Sequence, residues 1–260
     1  IVRLMNEAAA IDDGKPLEFH ITGGEPFVNF DLLLATVAHG TNLKGKVTCV
    51  TNAFWARSIE ETRQKLGQLR DAGLSLLAIS VSRFHERYVP LHRVRLALEV
   101  AASLGITTQL KGAVTASDLE PDGTLSRWKS NLQAHQVAIF PVVPYLREGA
   151  SLPEHEYCRL PGLPTDKCPD EIVCIESDGV AFSCCGQKRS TQFLALGNVR
   201  EQSLAEVHQR FKSATRQRIL REQGPVAFAR AAIDAGLGDL LRESYAARLA
   251  REGFPVIAIP

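Results

Sequence analysis

Two hundred and sixty residues, 45% of them hydrophobic and 23% charged, suffice for one large domain, or a medium domain with a small appendage, around a sizeable core. Thirty Lys and Arg against twenty-nine Asp and Glu leave a formal net charge of +1. No block of like charge offers a nucleic-acid arm, no apolar run is long enough to cross a bilayer, and Ile1-Val2-Arg3-Leu4-Met5 shows no signal-peptide pattern; neither nucleic acid nor a membrane is expected as a partner, and a cytoplasmic location is the default.

Residues 2–10 read as the middle of a helix and the first residue is not Met, so the expectation is that a longer natural protein begins upstream. Five strand-like runs follow, at 17–22, 46–51, 76–81, 107–115 and 137–142. Between them, 31–39, 59–72, 94–104 and 125–135 carry apolar residues near helical spacing. Repeated βα order calls for a parallel sheet with helices outside it. Counting the N-terminal helix as the partner of an absent strand, the pattern is α/β: a partial (β/α)6 TIM-like barrel missing its first strand.

Pro144, Pro153, Pro161, Pro164 and Pro169 break up the next stretch, and a domain boundary is placed near residue 150, with 1–150 the partial barrel and 151–260 a small C-terminal domain of β-hairpin plus helices. Ser177-Asp178-Gly179 between apolar runs at 172–176 and 180–184 signals a hairpin with a two-residue turn. Helices are expected at 204–211, 226–235 and 240–249.

Gly23-Gly24-Glu25-Pro26 directly follows the first strand, which puts two glycines and a carboxylate at the C-terminal end of a barrel strand, where barrel enzymes keep their active sites. The glycines let backbone groups approach a ligand, and Glu25 is an acceptor suited to an ammonium. The plain alternative is a tight strand-to-helix turn with an incidental acid. Four of six cysteines, Cys168, Cys174, Cys184 and Cys185, fall within eighteen residues, with Cys158 near and Cys49 apart. In a reducing compartment such clustering points to metal before disulfide.

Thr22-Gly23-Gly24-Glu25-Pro26, then Val50-Thr51-Asn52 and Ile79-Ser80-Val81-Ser82 at successive strand ends, resemble in order the segments of radical S-adenosylmethionine (radical SAM) enzymes, over about residues 1–215. Ala53 stands where the family's Thr-Asn-Gly has glycine, and Ser82 where its Ser-Ile-Ser-Leu-Asp has the acid. The resemblance implies that Gly23, Gly24 and Glu25 bind the methionine amino group and that Asn52 and Ser80 lie near the cofactor's carboxylate or ribose. Their alternative role is strand-end hydrogen bonding. No cysteines here have the family's Cys-x3-Cys-x2-Cys spacing, so the catalytic [4Fe–4S] cluster is expected to be ligated outside this chain, which alone would not cleave the cofactor.

Cys168-x10-Gly179-x4-Cys184 resembles the start of the iron–sulfur extension called SPASM, or its shorter Twitch form, and implies one auxiliary cluster held by Cys168 and Cys184 with Cys158 or Cys185. Zinc is the rival metal. Leu196-Gly197-Asn198-Val199 resembles the end of these extensions. Cys174 is expected to pack in the hairpin and Cys49 in the core. His85 or Arg87, and Lys111, are candidates for the barrel mouth, with ordinary loop or strand roles as alternatives, and Arg147 resembles the family's sixth-strand exit. No catalytic residue is assigned.

The function implied is radical generation from S-adenosylmethionine and hydrogen abstraction from a peptide, as in maturation of ribosomally made peptides, or from a small molecule, with an external electron donor such as a flavodoxin or ferredoxin. The competing expectation is a non-catalytic scaffold or peptide-binding partner of the same fold.

Overall fold

The computed structural model describes residues 1–142, 152–157, 172–183 and 195–215, with short pieces between 218 and 236. The chain divides into two units, Ile1–Val142 and Val143–Pro260.

In the first unit, helix α1 (Val2–Ala9) precedes five strands, β1 (Glu18–Ile21), β2 (Lys46–Thr51), β3 (Leu74–Val81), β4 (Thr107–Val114) and β5 (Gln136–Pro141), all parallel and adjacent in chain order. The crossovers are α2 (Phe30–Asn42), α3 (Ile59–Asp71), α5 (Leu91–Ser103) and α6 (Thr124–Asn131), with one short helix, α4 (Arg83–Glu86), after β3. Helix starts follow local chemistry. Asn29 caps α2 by accepting from Leu32 N, and Ser58 caps α3 by accepting from Glu61 N. In α3, Thr62, Leu66 and Leu69 form one buried stripe. Alternation in β4 is complete: Thr108, Leu110, Gly112 and Val114 are buried while Thr107, Gln109, Lys111 and Ala113 are partly exposed. The Trp128 ring of α6 lies 3.0 Å from where a Gly112 Cβ would sit, so the helices cover the Gly112 face and Lys111 belongs to the opposite, inner face.

Helix α6 ends at Asn131, short of the expected 135. His135 instead donates from its backbone N–H to Thr108 Oγ1 while its Nδ1 accepts from Thr108 N, so the chain is drawn into the β4–β5 approach.

In the second unit, β6 (Cys174–Ile175), β7 (Val180–Phe182) and β8 (Ala195–Asn198) form an antiparallel sheet in that order. The hairpin turn has three residues: Gly179 N donates to Glu176 O and Glu176 N to Val180 O, around Ser177-Asp178-Gly179. Gly179 takes φ +89, the left-handed residue that a type I turn with a bulge needs. That corrects the expected two-residue turn. Strand β8 adds a third strand to the expected hairpin; its four residues carry a glycine and no strong alternation to mark it. Helix α7 (Leu204–Ser213) starts in a capping box of Ser203 and Glu206 and buries Leu204, Val207 and Phe211. Hydrogen bonds from Ser203 hold the Glu206 carboxyl below its usual range. The helices expected at 226–235 and 240–249 lie largely or wholly outside the described residues.

Candidate functional site

A parallel sheet brings all its strand exits to one edge, and here the exits are tied to one another by side chains. Glu25, directly after the paired glycines, turns its carboxylate toward the end of the neighbouring strand. Its Oε1 accepts from Thr51 Oγ1 at 2.6 Å and from Phe27 N at 3.2 Å, and its Oε2 accepts from Asn52 N at 2.8 Å. Thr51 Oγ1 in turn accepts from Ala53 N at 3.2 Å and from Trp55 Nε1 at 2.9 Å. The Trp55 ring stacks on Phe27, centroids 3.9 Å apart. Ala53 is held at φ +64, the left-handed conformation that glycine occupies without penalty. It is the position at which the motif that this segment resembles has glycine, and this chain adopts the left-handed conformation with an alanine.

A carboxylate offers about four lone-pair sites. Oε1 uses two and Oε2 one, so Oε2 keeps acceptor capacity for an ammonium. Gly23 and Gly24 are exposed, Gly23 has φ +130, and nothing lies within 4 Å of a Cβ built on either. There is open space at these glycines for a small amino-acid ligand, with backbone carbonyls unshielded by side chains.

The exits of β3 and β4 form a second tied group. Ser82, buried, caps α4 by accepting from His85 N, and its Oγ lies 2.7 Å from His85 Nδ1. Arg83 Nε donates to Asp118 Oδ1 at 2.9 Å and its NH2 to Ser117 Oγ at 2.8 Å. Asp118 is fully buried and also accepts from Thr115 N and Thr115 Oγ1. A buried acid is retained where it is paired and hydrogen-bonded, and here it fastens two loops together. Glu86 accepts from Trp128 Nε1 and Arg127 NH2, joining α4 to α6. Arg87 lies over the Phe84 ring, 5.8 Å from its centroid. Arg93, on α5, donates to Phe54 O at 2.8 Å and so supports the loop after β2.

All five cofactor-site candidates therefore lie at one edge of the sheet: Gly23, Gly24 and Glu25 after β1, Asn52 after β2, and Ser80 one residue before the end of β3. The structure joins Glu25 directly to Asn52 and leaves Ser80 beside Lys111, its register partner on β4. Thr51 belongs to the strand-end segment Val50-Thr51-Asn52, whereas Trp55, Arg83 and Asp118 carry no signal in the sequence as parts of this edge. Trp55 four residues after Thr51 belongs to no motif, and an Arg–Asp pair thirty-five residues apart is invisible before the strands are placed side by side.

Cys49 lies on the helix-facing side of β2, fully buried. Burial, with the nearby charge of Glu25 added, pushes its thiol up to about 12, as expected of a core residue. Cys174 is a free thiol on β6, paired across the hairpin with Phe182. Cys158, Cys168, Cys184 and Cys185, the metal-site candidates, lie outside the described residues, as does Arg147. Among the described residues no group of three or more His, Cys, Asp or Glu converges as a metal site, and no helix is long and apolar enough to cross a membrane.

Residues 167–227 match the SPASM family model, an iron-sulfur cluster-binding domain. Over 207 residues, 78% of the chain, the sequence is 21% identical to a Bacillus subtilis (strain 168) protein described as "Putative peptide biosynthesis protein YydG". The chain spans 65% of that relative's length. Its fold is similar to that of a solved structure of a hexahistidine-tagged protein, described as "anSMEcpe with bound AdoMet", with a TM-score of 0.55 and 13% identity, covering 98% of this chain and 78% of the other. The chain thus resembles radical SAM enzymes that carry a SPASM extension, in its parallel-sheet fold and in the segment from 167 to 227.

Proposed function

We propose that this chain is the S-adenosylmethionine-binding part of a radical SAM enzyme, with an auxiliary-cluster extension, that modifies a peptide. The observation that carries the reading is Glu25: a carboxylate with acceptor capacity to spare, pinned between two strand exits beside two open glycines. The peptide as substrate rests on the description of the Bacillus relative as a peptide biosynthesis protein, and the cofactor on that of the solved structure as having AdoMet bound.

In this reading the carbonyls of Gly23 and Gly24 and Oε2 of Glu25 take the methionine ammonium. Asn52, whose Oδ1 already accepts from Phe54 N, turns its amide NH2 toward the ligand, and Ser80 adds a hydroxyl from β3. Thr51 and Trp55 hold the Glu25 carboxylate in place, so orientation is built before the ligand arrives. Bound here and given one electron by an iron–sulfur cluster, S-adenosylmethionine would supply hydrogen-atom abstraction chemistry, with methionine as the leaving group. The protein's share is to orient and to keep water from the inner face. The ligands of the reducing cluster are assigned outside these 260 residues. An auxiliary cluster is assigned to Cys168 and Cys184, with Cys158 or Cys185, and the electron to a cytoplasmic carrier such as a flavodoxin or ferredoxin. A small-molecule substrate is the second reading of the same site, and a cluster-free scaffold the alternative to catalysis.

The test is anaerobic. A protein that joins this chain to its Cys-x3-Cys-x2-Cys segment, reduced with dithionite, is expected to release 5′-deoxyadenosine from S-adenosylmethionine, the Glu25→Ala variant far less, and the 260-residue chain none. If the cluster-bearing protein binds the cofactor and releases none, the scaffold reading replaces the enzyme.

A further inference from the structure

Strand β5 ends the first unit's sheet, and its outer edge lacks the devices that usually close such edges. Its six residues, Gln136-Val137-Ala138-Ile139-Phe140-Pro141, carry no charge, and β4 is their sole strand neighbour among the described residues. In a parallel pair every second residue turns both backbone groups to its neighbour. Val142 N donates to Val114 O, which with the unbroken register turns Gln136, Ala138 and Phe140 toward β4. Val137, Ile139 and Pro141 therefore point their backbone outward, as two N–H donors and three carbonyls with which no described residue pairs. Pro141 fits that parity, because the N–H it lacks would face away from the sheet. The side chains are open as well: Val137 is 58% and Phe140 49% exposed. The opposite edge, β1, is unlike it, since Glu18 and His20 occupy two of its four positions.

An unpaired, uncharged edge is a template for another extended segment, and natural sheets normally blunt it with lysine, a bulge or a covering element. Backbone groups supply the hydrogen bonds and alternate side chains the selectivity when a peptide adds a strand to such a sheet. Ile139 lies on the helix-facing side, its Cδ1 2.7 Å from where a Gly112 Cβ would sit, so Ala138 and Phe140 belong to the inner face. We propose that the outer edge of β5 docks the peptide substrate: an extended, uncharged segment joins the sheet as its next strand. It bonds to the backbone of Val137 and Ile139 and to the Pro141 carbonyl, with every second side chain on the inner face beside Ala138 and Phe140. The proposal rests on the functional reading above and deepens it. A peptide fits this edge better than a second copy of the chain does. A strand added here lays alternate side chains on the face that leads up to the strand exits, where a reacting residue is needed, while a second copy would bring only its own β5. The absence of charge on β5 asks for a neutral segment, and Phe140 for an apolar side chain next to it.

The experiment follows the backbone amides of Val137, Ala138, Ile139 and Phe140 by NMR in the 15N-labelled 260-residue chain. One probe is acetyl-Thr-Val-Thr-Val-Thr-amide N-methylated at both valines, which keeps one hydrogen-bonding edge. The other is the same peptide N-methylated at every residue, which keeps none. The one-edge probe is expected to shift the Val137 and Ile139 amides and to slow their exchange with solvent. It leaves Ala138 and Phe140, which already face β4, little changed, and the fully methylated probe does nothing. Ile139→Pro, which removes an outward N–H and no ladder bond, weakens the one-edge probe about two- to tenfold, the span of one lost backbone hydrogen bond. The comparison of the two probes stands without that variant. Equal effects of both probes, or no effect at Val137 and Ile139, overturn the docking strand. If these two amides are protected without peptide, and more so as protein concentration rises, a second copy holds the edge and the proposal falls. Should the cluster-bearing protein release 5′-deoxyadenosine while the probe leaves β5 untouched, the docking strand is lost and the functional reading stands. Should the probe dock while that protein releases none, the functional reading is lost and the docking strand stands.

Discussion

The loops at the sheet's C-terminal edge and the inner face beside them spend their polar groups in opposite ways. At the β1 and β2 exits, Glu25, Thr51, Asn52 and Trp55 bond mainly to one another, and the backbone is bent to suit them, with Ala53 at φ +64. On the inner face of β3 and β4, Ser80 and Lys111 are adjacent and their side chains bond to nothing described. The loops shape the edge, and the inner face is left open. If that contrast is real, substitutions in the two places differ in their cost to stability.

The largest effect is expected for Trp55→Ala. The ring is 2% exposed, stacks on Phe27 and donates to Thr51, so truncation should cost about 3–5 kcal/mol in urea unfolding. A loss under ~1 kcal/mol would mean that the ring does not support the edge. Next comes Glu25→Gln. An amide keeps the shape but turns an NH2 toward Thr51, Asn52 or Phe27, which all donate, and the expected loss is about 1.5–3 kcal/mol, accompanied by weaker S-adenosylmethionine binding. Ser80→Ala and Lys111→Met should leave unfolding within about 0.5 kcal/mol of wild type; a destabilisation equal to that of Glu25→Gln would erase the contrast.

The smallest effect is the most specific. Ala53→Gly restores the residue that the radical SAM motif carries. Relief of the left-handed alanine is worth about 1 kcal/mol, and loss of its buried methyl costs about 0.8 kcal/mol, so differential scanning calorimetry should find net stability changed by less than about 0.5 kcal/mol. A large stabilisation would show that the methyl is poorly packed, and a large loss that the loop after β2 depends on it.

Much of this molecule was set by local sequence. Apolar alternation and helical stripes mark the five parallel strands and their crossovers, because side-chain direction repeats with a period of two or of about 3.6 residues wherever the backbone goes. Gly179 marks the hairpin, since its left-handed turn position favours glycine, and Gly23-Gly24-Glu25 marks the strand exit. Element ends were less legible: α6 stops at Asn131 because His135 is drawn to Thr108, twenty-seven residues earlier in the chain. Only the tertiary structure decided how the acids at the edge are used. Glu25 reads in sequence as a free acceptor, and folding commits three of its lone pairs to Phe27, Thr51 and Asn52. Asp118 reads as a loop residue and becomes the buried partner of Arg83. Lys111 reads as a candidate for the barrel mouth with an ordinary strand role as the alternative, and register sets it beside Ser80 with no carboxylate on either partner strand opposite it. Those outcomes depend on which strand lies next to which, and lateral order brings together groups that local periodicity cannot relate.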